Sequence, residues 1–302
     1  MRLWETYLQP NSVSWALAAL RSGPRPIRVM AGGTDLLLDL RQGRMPPLGA
    51  VVDITAIEEL QAMRVDGASM FIGAAVCLRR IAEDPTIQRF AACLADACQR
   101  IGGPQVRNVA TLGGNVGHAL PAGDGTIALV ALGAEAEIAS PEGRRGAPVE
   151  ELILGPGRSA LDPERELLTH FRIPPRVEGE ASAFDRVMRP QGVAIAVLNM
   201  AVALGVGSTG AIENIRLAMG PAGPRPMRCS RTEEYLRGKK PSEKELDRAC
   251  EFLLEETTLR TSPHRATQDY RRHMARYLLG RVVPRANDAA LAAREAQGAT
   301  EV

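Results

Sequence analysis

The sequence has no run of eighteen apolar residues, so no helical membrane span is expected. Its opening residues, Met1-Arg2-Leu3-Trp4-Glu5, carry no signal-peptide core, and the chain reads as cytoplasmic. Its cysteines, Cys77, Cys93, Cys98, Cys229 and Cys250, are odd in number, scattered, and never spaced as C-x-x-C. Neither a zinc ribbon nor an iron–sulfur cluster is indicated, and each is expected to be a small, buried or partly buried thiol. None of His118, His170, His264 and His273 pairs with another at metal-ligand spacing. The net charge is only +2, which gives no electrostatic case for nucleic acid. Nothing forms a catalytic triad, a carboxylate dyad at fixed spacing or a metal cage, and there are no internal repeats. Hard chemistry would have to come from a bound cofactor.

At 302 residues the chain exceeds a single average core, and two domains are expected. Residues 12–22 read as a helix, capped by Asn11 or Ser12 and ended at Gly23-Pro24. Residues 51–54, 69–73 and 134–138 read as strands, and residues 85–101 as one helix with proline near its first turn. Pro174-Pro175 marks a boundary. Beyond it, residues 194–204 and 211–219 read as strands, and 231–236, 242–257 and 266–279 as helices. We divide the chain at 1–176, 177–284 and a polar, alanine-rich tail at 285–302, either a frayed helix or disordered. The last helix carries Tyr270, Met274, Tyr277 and Leu278 on one face. Its Arg271, Arg272, Arg276 and Arg281 read as a solvated or subunit-facing surface.

Two glycine runs stand out. Ala31-Gly32-Gly33-Thr34-Asp35-Leu36 follows the apolar strand-like residues 27–30 and precedes a helix-like stretch that stops at Gly43. Its glycines permit positive φ and close approach of a ligand, and Thr34 is a candidate N-cap. Amides at a helix N-terminus attract phosphate. The second run, Thr111-Leu112-Gly113-Gly114-Asn115, is followed by Pro121 and Asp124. Here Gly113-Gly114 allow a tight reversal, Asn115 tolerates left-handed geometry, and Asp124 is an acceptor or the N-cap of the apolar stretch 126–132. Either run alone suits an ordinary turn. Together they suit two halves of a clamp on a nucleotide diphosphate. A third run, residues 205–210, matches G-x-G-x-x-G. A strand-like segment follows it where a dinucleotide fold needs a helix, so it reads as a hairpin loop.

The two runs, with Gln105-Val106-Arg107-Asn108, Glu166-Leu167-Leu168, Ile173-Pro174 and Ser182-Ala183-Phe184, resemble the FAD-binding medium subunits of the molybdenum hydroxylases, the xanthine and carbon monoxide dehydrogenase type. The likeness covers nearly the whole chain. It implies an α+β fold: a two-subdomain FAD-binding domain (PCMH-type), then a smaller α+β domain with a short antiparallel sheet and a helical bundle. It implies that main-chain amides of Val29, Met30, Ala31, Gly32, Gly33, Thr34, Asp35 and Leu36 wrap the FAD diphosphate, with Thr111, Gly113, Gly114 and Asn115 opposite. Asp124 would contact the cofactor, Leu168 would pack near it, and Ile101 would lie against the flavin ring. Many members carry lysine where this chain has Asp185; the carboxylate would change the field near the flavin or its acceptor, or Arg186 would substitute. His118 lies inside the second motif, where a structural or solvent role outweighs a place in the cofactor pocket. With no histidine beside Gly33-Thr34, FAD is expected to be non-covalent.

By the same resemblance, the chain is an oxidoreductase subunit. A large partner subunit holds molybdenum–pterin and a small one two [2Fe–2S] clusters, and electrons leave through FAD to NAD+, oxygen or a quinone. Two alternatives stand beside this: a free-standing flavoprotein with its own substrate, and a cofactor-free assembly scaffold.

Overall fold

The computed structural model describes residues 2–176, 179–189, 195–263 and 265–298. Three layers of structure follow one another along the chain.

The first holds β1 (Trp4–Leu8), α1 (Val13–Ser22), β2 (Ile27–Met30), α2 (Leu36–Arg41) and β3 (Leu48–Asp53). The strands form a parallel sheet in the order β1-β3-β2. The central strand β3 is buried along its whole length, which suits its apolar run from Leu48 to Val52. Helix α1 starts as expected: the Ser12 hydroxyl accepts from the Trp15 amide, and Gly23 follows the last turn.

The second layer contains β4 (Met63–Asp66), β5 (Ser69–Gly73), α3 (Leu78–Glu83), α4 (Pro85–Phe90), α5 (Ala92–Arg100), α6 (Pro104–Arg107), α7 (Leu112–Gly117) and α8 (Asp124–Ala131). It continues with β6 (Glu135–Ser140), β7 (Gly143–Pro148), β8 (Ile153–Gly155), β9 (Arg158–Ser159) and β10 (Leu167–Ile173). Strands β4-β5-β10-β6-β7 form a five-stranded sheet, and β8-β9 a short separate hairpin. The single helix expected over 85–101 is two helices, broken at Ala91 (φ −142°, ψ 58°). The break leaves the Cys93 amide without a helical acceptor, and the Ser182 hydroxyl takes it at 3.1 Å. Cys93 and Cys98 are both fully buried, as small thiols of the core.

The third layer holds β11 (Glu180–Met188), β12 (Ala196–Val206), β13 (Ile212–Gly220), β14 (Met227–Arg228), α9 (Ser230–Leu236), α10 (Glu243–Glu256) and α11 (Gln268–Gly298). The strands pair antiparallel in sequence order. The G-x-G-x-x-G run is the β12–β13 turn: Gly207 donates to Ala211, Gly210 has φ +75°, and a strand follows. Of the two readings of the tail, helix is what the described residues show, through residue 298. Helix α11 continues through Pro284, with Ala286 and Ala290 fully buried. Its basic residues are not uniformly on the surface either: Arg271 is buried and donates to the Val197 carbonyl at 2.7 Å. Among the described residues, no helix is long and apolar enough to cross a membrane.

Candidate functional site

All three layers wall one cleft of about 1290 Å³. That exceeds the roughly 300–1,000 Å³ of an ordinary small-molecule pocket and suits a dinucleotide. Every residue singled out for cofactor contact in the sequence lines it: 29–36 from the end of β2 into α2, Ile101 after α5, Thr111 capping α7 with Gly113, Gly114 and Asn115 on it, Asp124 on α8, and Leu168 on β10. His118 lines it too, with Nε2 at 3.6 Å from an Asp35 carboxylate oxygen.

The first loop presents open backbone. Strand β2 ends by pairing Met30 with Asp53, and the chain then turns through Gly33 at φ +67°. The amides of Gly33, Thr34, Asp35 and Leu36 make no hydrogen bond to another described residue. The expected Thr34 cap is absent. The N-cap of α2 is Asp35, in helical geometry and without a side-chain cap bond. This helix start is therefore left for an external acceptor. Gly32 has a different task. A Cβ there would lie 2.0 Å from the Val109 carbonyl oxygen, so its glycine lets the first loop abut the segment leading into the second.

The second loop differs from a matching set of free amides. Leu112 donates to the Val76 carbonyl at 3.1 Å, Gly113 to Ala74 at 2.8 Å, Gly114 to the Thr111 hydroxyl at 3.1 Å, and Asn115 to the Thr111 carbonyl at 3.0 Å. All four amides are satisfied within the chain, because the loop is the start of α7 docked on the 74–76 backbone. Asn115 is helical rather than left-handed, and its side-chain oxygen accepts from the Thr126 amide at 3.1 Å. Gly113 is needed for close packing, since a Cβ there would meet the Ala74 carbonyl oxygen at 2.6 Å. At Gly114 a Cβ would meet only the Thr111 hydroxyl, at 3.1 Å. The second loop supplies shape to the cleft wall, and the first supplies donors.

Asp124 is the first residue of α8, not its cap; Gly123 is the N-cap. Its carboxylate is buried and doubly paired: Asn199 Nδ2 donates to one oxygen at 2.5 Å and the Arg186 guanidinium to the other. Burial pushes its pKa above the usual carboxylate range, against the pull of Arg186 and Asn199. Arg186 and Asn199 lie on β11 and β12, so the pairing ties the third layer to the cleft. Asp185 does not line the cleft. It is clasped by Arg100 at 2.5 Å and Arg281 at 2.8 Å, while Arg186 takes the cleft wall.

Residues 3–176 match the family model described as the FAD binding domain in molybdopterin dehydrogenase, more than half of the chain. This chain belongs to that family. Residues 182–286 match the CO dehydrogenase flavoprotein C-terminal domain. The FAD-binding subunit is 30% identical over 288 residues to a putative xanthine dehydrogenase FAD-binding subunit of Escherichia coli (strain K12), covering 94% of this chain and 97% of the relative. It is 30% identical to the carbon monoxide dehydrogenase medium chain of Hydrogenophaga pseudoflava, over 77% of this chain and 80% of that one. A solved carbon monoxide dehydrogenase from the same organism superposes with a TM-score of 0.88 at 27% identity, over 96% and 99% of the two chains. Quinoline 2-oxidoreductase of Pseudomonas putida 86 gives 0.86 at 27%, over 94% and 97%.

The residues present fit FAD. Four acceptor-free amides meet the demand of a diphosphate, Ile101 and Leu168 offer apolar surface to a ring, and the buried Arg186 Nε has no partner among the described residues. The sequence had raised Arg186 only as a stand-in for the lysine of relatives. Arg260, Arg265 and Arg271 of the third layer also line the cleft, and no local motif announces them.

Proposed function

We propose that FAD is held non-covalently in this cleft, with its diphosphate on the amides of Gly33, Thr34, Asp35 and Leu36. The observation that carries this reading is the run of acceptor-free amides beside Gly33 at φ +67°. Thr111, Gly113, Gly114 and Asn115 form the facing wall. Bound there, FAD supplies the two-electron chemistry that connects one-electron [2Fe–2S] clusters on a small partner subunit to an acceptor such as NAD+, oxygen or a quinone. A molybdenum–pterin large subunit is the source of those electrons, in a cytoplasmic complex. The names of the carbon monoxide and xanthine dehydrogenase relatives support this placement.

The chain's own residues bind, orient and exclude water. Ile101 and Leu168 give the ring apolar contact, and the Asp124–Arg186 pair fixes the wall on which Ile101 and α8 sit. No proton-transfer role falls to Asp124, because both oxygens are engaged. The test is to purify the full chain with its accompanying subunits and to measure flavin, iron and molybdenum. The expected result is FAD equimolar with this chain and metals tracking the partners. A flavin-free complex contradicts the proposal, and substrate turnover by the chain alone would favour a free-standing oxidoreductase.

A further inference from the structure

The Gln105-Val106-Arg107-Asn108 stretch supplies no amide to the diphosphate loop, yet it braces the cleft wall at one place. Helix α5 ends at Arg100, and the carbonyls of Arg100, Ile101 and Gly102 have no further helical turn to accept from. Among the described residues, no backbone amide donates to any of the three. Guanidinia do so instead. Arg186, from β11, donates to the Arg100 carbonyl. Arg107, from α6, donates to the Ile101 carbonyl at 3.2 Å and to the Gly102 carbonyl at 2.8 Å. Cations suit this end of a helix, where the dipole is negative and carbonyls are free.

The turn is tight. Gly102 sits at φ +53°, and a Cβ there would lie 2.9 Å from the Val106 Cβ, so residues 101–102 fold directly onto α6. Ile101 is half-buried and lines the cleft together with Gly102, Val106 and Arg186. Arg100 and Arg186 pair with Asp185 and Asp124. Arg107 is half-buried as well, but makes no ion pair among the described residues. A partly buried guanidinium without a counter-charge is unfavourable unless it is hydrogen-bonded. The hydrogen bonds it makes go to the two residues that shape the Ile101 turn.

We infer that Arg107 is a positioning residue for the flavin: by holding the 101 and 102 carbonyls, it fixes where the Ile101 side chain meets the ring. This rests on the reading of the cleft as the FAD site and goes beyond it, because Arg107 is not itself part of the cleft lining. An aliphatic side chain contacts a ring by dispersion alone, which falls off within fractions of an ångström. A small shift of the turn therefore changes the surroundings of the ring.

The test is a double-mutant cycle on Arg107→Ala and Ile101→Ala, in the full chain purified with its partner subunits. The readout is visible circular dichroism of the bound flavin, taken as FAD-loaded minus flavin-free protein so that cluster signals cancel, and expressed per bound flavin. Arg107→Ala is expected to retain FAD, since the amides of residues 33–36 are untouched, and to lose flavin dichroism. Ile101→Ala is expected to lose it too, and the double variant no more than Ile101→Ala alone, because Arg107 acts through that side chain. Losses that add, or a wild-type flavin signal in either single variant, overturn the inference and leave the FAD reading standing. Loss of FAD from folded Arg107→Ala also overturns it, because Arg107 would then hold the cofactor itself. Should Arg107→Ala fail to fold, Arg107→Gln, which keeps a donor group, takes its place under the same criteria. Wild-type protein that takes up no FAD fails at the earlier step and removes the reading beneath both.

Discussion

Arg186 on β11 donates to the Asp124 carboxylate at the start of α8, joining the third layer of the fold to the wall of the cofactor cleft. Both side chains are only 5% exposed. Asn199 holds the second carboxylate oxygen, so the acid expected to touch cofactor is committed to protein partners. Within the proposed site, Asp124 is read as positioning the wall it lines.

Removing that carboxylate strands a buried guanidinium. Asp124→Ala should therefore destabilise the chain by about 3–5 kcal/mol. Asp124→Leu combined with Arg186→Met should recover much of the loss, because the desolvation cost goes with the charges. Urea midpoints for the singles and the double measure this. A change within about 0.5 kcal/mol for Asp124→Ala, the usual range for an inert surface site, would mean that the pair does not form.

Asp185 makes a pH-dependent contribution with a definite sign. Burial raises its pKa, but the Arg186 amide, Arg100 and Arg281 outweigh that, and the net shift is downward. A carboxylate depressed in the folded state stabilises above its unfolded pKa of about 3.9 and loses that contribution as pH falls through the folded value. Asp185→Asn should be less stable than wild type at neutral pH, and the gap should close in acid below the unfolded value. Flavin content should be unchanged, since the carboxylate faces arginines instead of the cleft. A gap independent of pH, or a colourless variant, counts against this placement.

The glycines of the two loops should separate by phenotype. Gly32→Ala drives a Cβ to 2.0 Å from the Val109 carbonyl oxygen and should lower stability along with flavin. Gly33→Ala places a side chain at φ +67°, at a cost of roughly 1–2 kcal/mol. Gly114→Val meets little but the Thr111 hydroxyl and open cleft, so it should lose flavin while keeping a wild-type unfolding curve. Flavin-replete Gly114→Val protein would show that the second loop does not approach the cofactor.

The first loop was legible because its signals are local. An apolar strand, two glycines and a leucine-rich helix lie within fifteen residues, and β2 and α2 fall where that order puts them. The hairpin at 205–210 was legible for the same reason, from the strand that follows. What the sequence hid depends on distant partners. The second loop's amides find acceptors on the 74–76 backbone, so a Gly-Gly run that suggests open donors is closed. Asp124 meets residues 62 and 75 positions away. The helix expected over 85–101 breaks where Ser182 can accept the Cys93 amide. The tail reads as polar and alanine-rich, yet small residues such as Ala286 and Ala290 let a helix pack closely on a sheet.

The central claim is that the amides of residues 33–36 receive the diphosphate. Hydrogen exchange of the protein with and without FAD tests it most directly, resolved to individual amides. Strong new protection is expected at Gly33, Thr34, Asp35 and Leu36, with little change at Leu112, Gly113 and Asn115, whose donors are already occupied. Exchange at 33–36 that is indifferent to FAD, while protection appears at another loop, would contradict it.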